Sequence, residues 1–313
     1  MKHLAIIDLG SNSARLSIQA VDDQGHNTEI KRMKIMTRLA EGMGQSEEKK
    51  LQPQAIERTL AAIQTFMRAY QDLPDLKVTG IATAAVRAAS NQREFLRQVA
   101  DLTGVEVNVL SGTKEAYYDY LGVAHSLDLT DYMICDMGGG SFELVLAQNN
   151  QAQHLISIPY GAVSLSEKFH SADRISAYDL FRFQNFIQKS FDQLDWFEKG
   201  RHLPLVLLGG ANRTVGRCKL FDEGAIDPEQ MHGVVMPTTE FVDRYASWLQ
   251  MSLAERRADL EDEADRADII IGGLTPVVQM LTHLNMPEVI FSDSGVREGI
   301  ITEYVNQRKQ HHE

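Results

Sequence analysis

The sequence predicts an α/β protein made of two duplicated halves that flank a cleft. Three observations carry this reading. Strand-like and helix-like segments alternate along most of the chain. A pattern of strand, Asp, Gly turn, Ser and second strand occurs twice, as LAIIDLGSNSARLSIQAV and YMICDMGGGSFELVLAQ, and each copy opens a new run of alternating elements. Four turns rich in Gly and Ser follow apolar strands, the place where α/β sheets bind ligands.

Taken in order, the chain opens with the apolar strand Leu4–Ile7, the turn DLGSNS and a second strand, ARLSIQAV. In LQPQAIERTLAAIQTFMRAYQDL, Ile56, Leu60, Ile63, Phe66 and Met67 fall at helical spacing. KVTGIATAAV reads as a strand, NQREFLRQVADLTG as a helix closed by Gly104, VEVNVLSG as a strand and KEAYYDYLGVAHSL as a helix. The second half restarts at Tyr132 and continues with the helical SAYDLFRFQNFIQKSFDQLDWF. LPLVLLGGANRTVG is a strand running into a Gly-Gly turn, and RADIIIGGLTPVVQML carries a second Gly-Gly turn that leads into a helix. EVIFSDSGVREGIITEYVNQ is a strand, a turn and a last helix. The charged run Glu255–Asp268 is expected to form a solvated helix surface. The expected units are residues 1–125 and 126–297, with a C-terminal helix near 298–313 packing back on the first.

The bulk properties narrow the function classes. With 313 residues, 43% apolar and 24% charged, the chain resembles an ordinary globular protein of about two domains. No apolar run reaches the ~18–20 residues that span a bilayer. The segment MKHLAIIDLGSNS breaks at Asp8 too early for a signal peptide, so a cytoplasmic protein without membrane association is expected. The two cysteines, Cys135 and Cys218, form no metal or redox motif and read as free buried thiols. A net charge of −12 argues against nucleic acid as a partner but leaves room for a small anion. A ring of backbone N–H groups binds phosphate whatever the overall charge.

The four turns are Gly10-Ser11-Asn12-Ser13, Gly138-Gly139-Gly140-Ser141, Gly209-Gly210-Ala211-Asn212 and Ser292-Asp293-Ser294-Gly295. Glycine lets N–H groups converge on an anion without a Cβ in the way, and Ser and Asn add donors. Asp8 and Asp136 stand at matching points of the two hairpins, and Glu143 follows on the outgoing strand of the second. Carboxylates beside phosphates point to Mg²⁺, which takes oxygen ligands and keeps several waters. Glu115 begins a helix after a strand and a Ser-Gly turn, so it suits either a general base acting on water or compensation of the helix dipole. Arg87 lies just past a strand and suits a phosphate through its planar fork. Arg15 and Arg297 suit a phosphate or a structural ion pair equally. No P-loop, GxGxxG or G-x-S-x-G pattern is present.

Together, IIDLGSNSARLSI, GIATAAVRAASN, VLSGTKEAYYDYLGV, ICDMGGGSFELVLA, SIPYGAVSLSEKF, LLGGANRTVG, RADIIIGGLTPVVQML and VIFSDSGVREGII resemble, in family order, the exopolyphosphatase/guanosine pentaphosphate phosphatase (Ppx/GppA) family. The resemblance implies two ribonuclease H-like domains of the actin/Hsp70/sugar-kinase superfamily and Mg²⁺-dependent hydrolysis of terminal phosphate from polyphosphate or pppGpp. It implies that Glu115 is the catalytic base and that Asp136 and Glu143, with Asp8 at the matching point of the first hairpin, organise metal and water. It further implies phosphate contacts at Asn12, Ser13, Arg87, Gly138 to Ser141 and Gly209-Gly210, to which the turn chemistry adds Gly10 and Ser11. Exopolyphosphatase is the first expectation; a pppGpp 5′-phosphatase and a non-catalytic polyphosphate or nucleotide sensor are the alternatives. A homodimer is compatible with the sequence. Thr113 and Lys114 stand where the family often has acids, Ala211 where it often has Gly or Thr, and Ile271-Gly272-Gly273 where it often has Ala-Gly.

Overall fold

The computed structural model describes residues 2–22, 24, 26–43 and 48–310, with side chains to 307. Strands Lys2–Leu9 (β1), Ser13–Val21 (β2) and Asn27–Met36 (β3) form an antiparallel meander. Helix Pro53–Tyr70 (α1) follows and buries Ala55, Ile63 and Phe66 against the sheet. Leu76–Ala82 (β4) then runs parallel to β1, and after Ala84–Ala88 (α2) and Gln92–Thr103 (α3) comes Val107–Val109 (β5). The first sheet thus has the order β3-β2-β1-β4-β5.

Gly112–Ser126 (α4), capped by Ser111, carries the chain into a second sheet. Tyr132–Met137 (β6), Phe142–Gln148 (β7) and Gln151–Ile158 (β8) repeat the meander. Ala162–Lys168 (α5) and Ala177–Phe191 (α6) lead to Leu205–Gly209 (β9), parallel to β6. Next come Gly210–Asp222 (α7), Val235–Pro237 (β10), Thr238–Gln250 (α8), Leu253–Leu260 (α9), Ile270–His283 (α10) and Glu288–Phe291 (β11). Read from β8, the second sheet runs β8-β7-β6-β9-β11-β10, the first sheet's order with one strand added. The two halves therefore repeat one α/β topology, as the duplicated hairpins predict. Val296–Gln310 (α11) packs along α4 and puts Ile300, Ile301 and Val305 against Leu4, Ile6 and Ile81 of the first sheet. The last three residues of the expected 298–313 helix lie outside the described residues.

Four local expectations need correction. The first half opens with three strands rather than a pair. TEIKRMKIM reads poorly as a strand because β3 is a charged, mostly exposed edge, the usual protection of an unpaired sheet edge. KVTGIATAAV stops being a strand at Ala82, since the chain bends at Thr83 to bring the Ala85 N–H 3.2 Å from Ser11 Oγ. Gly272-Gly273 is no turn but lies inside α10, which is apolar all round and buried. There a Cβ on Gly272 would come 2.8 Å from the Ser166 nitrogen, and one on Gly273 would come 2.7 Å from Ala211 Cβ, so the bare positions seat α10 on its neighbours. The charged run 255–268 is only partly solvated. Arg256 is fully buried and donates to the carbonyls of Ala267, Met251, Ala172 and Asp173, and Arg266 reaches inward to the cleft.

Candidate active site

The two hairpin turns meet face to face. Leu9 pairs with Ala14 and Met137 with Phe142, so each turn spans the same four positions. A Cβ on Gly10 would lie 2.9 Å from the Ser13 carbonyl, and one on Gly138 would lie 2.8 Å from the Ser141 carbonyl, so the backbones are alike. A Cβ on Gly139 would come 3.0 Å from Ser11 Cβ and 3.3 Å from the Asn12 nitrogen. Glycine is required at this contact because the opposite turn occupies the side-chain space.

The carbonyls of these turns are tied back into the scaffold. The Ser11 oxygen accepts from the Ala40 N–H, and the Asn12 oxygen from the N–H groups of Thr37 and Arg38. The Gly138 and Gly139 oxygens accept from Ala162 and Val163 at the start of α5. In a trans peptide the N–H points opposite to the preceding C=O. The N–H groups of Asn12, Gly139 and Gly140 therefore point away from those scaffold donors, and all three residues line the cleft. On the third side, Gly209 has φ +90°, a conformation open to glycine, and turns the chain so that the first N–H groups of α7 also border the cleft.

Asp8, Glu115 and Asp136 line the same cleft, together with Arg15, Arg213, Arg266 and Arg297. Burial raises the carboxyls of Asp8 and Asp136, against the pull of Arg15 on both, Arg297 on Asp8 and Arg213 on Asp136. Glu115 projects from the first turn of α4 and is only 8% exposed. Burial pushes its carboxyl up to about 7; Arg87, whose Nη1 lies 2.9 Å from Glu115 Oε2, works against that, and the charges of Asp136 and Asp8 add to it.

Not every expected residue faces the cleft. Gly10, Ser11, Asn12, Ser13, Gly138, Gly139, Gly140, Ser141, Gly209 and Gly210 all line it. Arg87 does not: its Nη1 is shared between the Leu110 carbonyl, at 2.8 Å, and the Glu115 carboxylate, so it contacts Glu115 rather than the cleft. Glu143 sits one layer below, 1% exposed, its Oε1 accepting from Ser141 Oγ at 2.7 Å and Ser157 Oγ at 2.6 Å. Among the described residues, no three His, Cys, Asp or Glu side chains converge closely enough to chelate a metal by themselves. Asp8 and Asp136 still offer hard oxygen donors at the cleft. That fits a Mg²⁺-class ion, which takes one or two carboxylates and completes its shell with water and phosphate oxygens.

Residue-by-residue reading missed Arg213, Arg266 and Asp119. Arg213 closes the first turn of α7 straight after Gly209-Gly210-Ala211-Asn212, a position that could have flagged it. Arg266 was hidden inside the charged run. Asp119 stands out only as an acid within the apolar stretch EAYYDYLGV.

Beyond Arg15, Gly210, Arg213, Arg266 and Arg297 the cleft continues into a second cavity of about 490 Å³. Its wall carries Arg15, Arg32, Lys34, Arg213, Arg217, Arg266 and Arg297 against Glu29, Glu229, Glu263 and Asp293. Burial, Arg213 and Arg297 push the Arg15 guanidinium down to about 9, and burial with Arg266 pushes Lys34 down to about 8. Both shifts record positive charge crowded out of water, which an anion would relieve.

Comparison with known proteins agrees with this architecture. Over 97% of its length the chain is 27% identical to a bifunctional 3-dehydroquinate synthase/phosphatase of Fusobacterium nucleatum, and it spans about half (47%) of that curated relative. A Ppx/GppA family member of Aquifex aeolicus superposes with a TM-score of 0.78 at 28% identity, covering 98% of both chains. An exopolyphosphatase of Cytophaga hutchinsonii superposes with a TM-score of 0.90 at 19% identity, again over 98% of both chains, and shows the shared fold. The model of the Ppx/GppA phosphatase family matches residues 17–308, and the chain belongs to that family.

Proposed function

We propose that the protein is an exopolyphosphatase that removes the terminal phosphate of inorganic polyphosphate with the help of a Mg²⁺-class ion. One observation carries the choice of substrate: the buried acidic end of the cleft opens into an arginine-rich cavity, and among the described residues no Phe, Tyr, Trp or His lines either part. A polyanion with charge on every unit matches such a wall. A guanine base would look for an aromatic face on which to stack, as nucleobases commonly do.

In this reading the N–H groups of Asn12, Gly139 and Gly140 and the start of α7 receive the terminal phosphate. They are preorganised for the charge that develops during transfer. Glu115 holds a water and takes its proton as the oxygen bonds to phosphorus, and the anhydride oxygen leaves with the shortened chain. A carboxyl raised to about 7 suits this task, because about half of it is ionised in neutral solution and it is basic enough to accept a proton. Arg87 orients that carboxylate through its 2.9 Å contact, and Arg15, Arg213 and Arg266 neutralise the following phosphates. The ion, held by Asp8 and Asp136 together with phosphate oxygens, would polarise the P–O bonds.

The test is phosphate release from polyphosphates of defined length and from pppGpp, with and without Mg²⁺. Wild type should release phosphate from polyphosphate in preference to pppGpp. Glu115→Gln should be slower by about 10²–10⁴-fold. Preference for pppGpp would favour the guanosine pentaphosphate phosphatase reading, and binding without release would favour a sensor. Full activity in Glu115→Gln would remove Glu115 as the base.

A further inference from the structure

We propose that the ion pair of Arg38 and Asp268 is a brace between the two halves that sets the spacing of the facing turns, which makes Arg38 a positioning residue for the anion they hold. This rests on the reading of those turns as a phosphate cradle. Arg38 does not line the cleft and acts through its neighbours. Its backbone N–H donates to the Asn12 carbonyl at 2.8 Å, beside the Thr37 N–H at 3.1 Å, and the Ala40 N–H donates to the Ser11 carbonyl at 2.8 Å. Residues 37–40 thus fix the first turn. The Arg38 guanidinium leaves that segment for the second half: Nη1 donates to Asp268 Oδ2 at 2.9 Å and Nη2 to the Asp265 carbonyl at 2.7 Å. Arg38 has φ +46°, a left-handed conformation that a residue with a Cβ keeps only where its surroundings hold it there. Here the first turn holds its backbone and the other half of the molecule holds its side chain.

The far end of the pair leads to the second turn. Asp268 stands just before α10, and α10 is seated on α5: a Cβ on Gly272 would come 2.6 Å from the Ala162 carbonyl oxygen, and one on Gly273 would come 3.2 Å from Ala162 Cβ. Ala162 and Val163, at the start of α5, donate the N–H groups that hold the Gly138 and Gly139 carbonyls. A second tie runs from the Arg38 segment to α5, from the Gly42 N–H to Glu167 Oε1 at 3.4 Å. These contacts close a ring: first turn, Arg38, Asp268, α10, α5, second turn and, through Gly139 and Ser11, the first turn again. A cavity of about 120 Å³ is lined by Asn12, Arg38, Val163, Ser166 and Asp268 of that ring. Close packing therefore does not fix the distance across it, and the ion pair does. The rival account is a partly exposed pair that only adds a little stability to the fold.

Inorganic phosphate titrated into the full chain with Mg²⁺ present, with the Gly139 and Gly140 amide resonances followed by NMR, reads the cradle without turnover. Arg38→Met should weaken phosphate binding at least about 10-fold and lower kcat/KM for polyphosphate by a similar factor, because a misplacement of ~1 Å can cost about 10²-fold. Arg38→Lys, which keeps the charge but loses the fork, should fall between Arg38→Met and wild type. Adding Asp268→Ala to Arg38→Met should weaken binding no further, since the two side chains act as one link. Losses that add would overturn the proposal. A lower melting temperature with wild-type phosphate affinity in Arg38→Met would overturn it too, as would a wild type whose Gly139 and Gly140 amides ignore phosphate. Asp268→Ala alone, expected to weaken phosphate in the same direction, serves if Arg38→Met fails to fold by circular dichroism. Should wild type bind phosphate and Arg38→Met lose it, yet wild type release none from polyphosphate, the functional reading fails and the brace stands. Should wild type release phosphate while Arg38→Met binds it as tightly as wild type, only this inference fails.

Discussion

The two duplicated hairpins share register, turn length and backbone, yet they carry opposite electrostatics. In the first, Asp8 lies directly across from Arg15; in the second, the matching Asp136 lies across from Glu143. Opposite charges across a strand pair are favourable, and like charges are not. The first hairpin therefore brings its own counter-cation, whereas the second concentrates negative charge and hides part of it, with Ser141 and Ser157 hydroxyls donating to Glu143. Duplication supplied one scaffold twice. The difference at a single cross-strand position leaves the first copy with an acid facing a base and the second with an acid facing an acid.

The sharpest way to break the pairing of the hairpins is to force them apart. Gly139→Val drives a branched side chain into Ser11 and Asn12, and kcat/KM for phosphate release should fall by about 100-fold or more. Overpacking there should also lower stability by roughly 1–3 kcal/mol in thermal unfolding. A wild-type rate in that variant would mean the turns do not form the phosphate cradle. Next in size is the charge contrast. Asp136→Asn should raise the Mg²⁺ concentration for half-maximal release by about 10–100-fold. Asp8→Asn should raise it less, because Arg15 already balances that carboxylate. Equal effects would erase the distinction between the hairpins.

A smaller effect concerns pH. On the proposed mechanism Glu115 acts as a base only when ionised, so kcat/KM should rise with pH and level off above about 7. Arg87→Ala removes the group that favours ionisation and should shift the bend to higher pH. A bend that stays in place would show that Arg87 does not set it. The smallest expected effect is on stability. The folded-state carboxyl of Glu143 is raised above its unfolded value, mainly by burial. Its contribution to stability is therefore present in acid and is lost as pH rises through the folded-state value. Glu143→Gln, which keeps an acceptor for Ser141 or Ser157, should melt at a higher temperature than wild type in alkaline buffer and at the same temperature in acid.

Local chemistry made much of this legible before any coordinates. Three glycines flanked by apolar strands have few uses besides a close approach, and the repeated Asp-Xaa-Gly hairpin announced the duplication. What was illegible has specific causes. β3 carries almost no apolar signal because it is a solvated edge. Gly272-Gly273 looks like a turn because a helix interior seldom has two glycines, and only the packing of α10 on α5 and α7 explains them. Arg266 looked like one more surface charge in an acidic-basic run, although it is 4% exposed.

Strand order along the chain, the two glycine turns and the carboxylate at the head of α4 are encoded within short windows, where periodicity, turn residues and helix starts act over a few positions. Nothing in such a window states that Gly139 meets Ser11, or that Arg15 shares one cavity with Arg213 and Arg266, which follow it far along the chain. Nor does it state that Arg87 turns to Glu115 rather than to the cleft, or that Asp119 comes to lie against Asp136. Those juxtapositions arise when two sheets and the α4–α11 pair pack against each other. Burial and charge, the quantities that decide the chemistry, exist only in that packed arrangement.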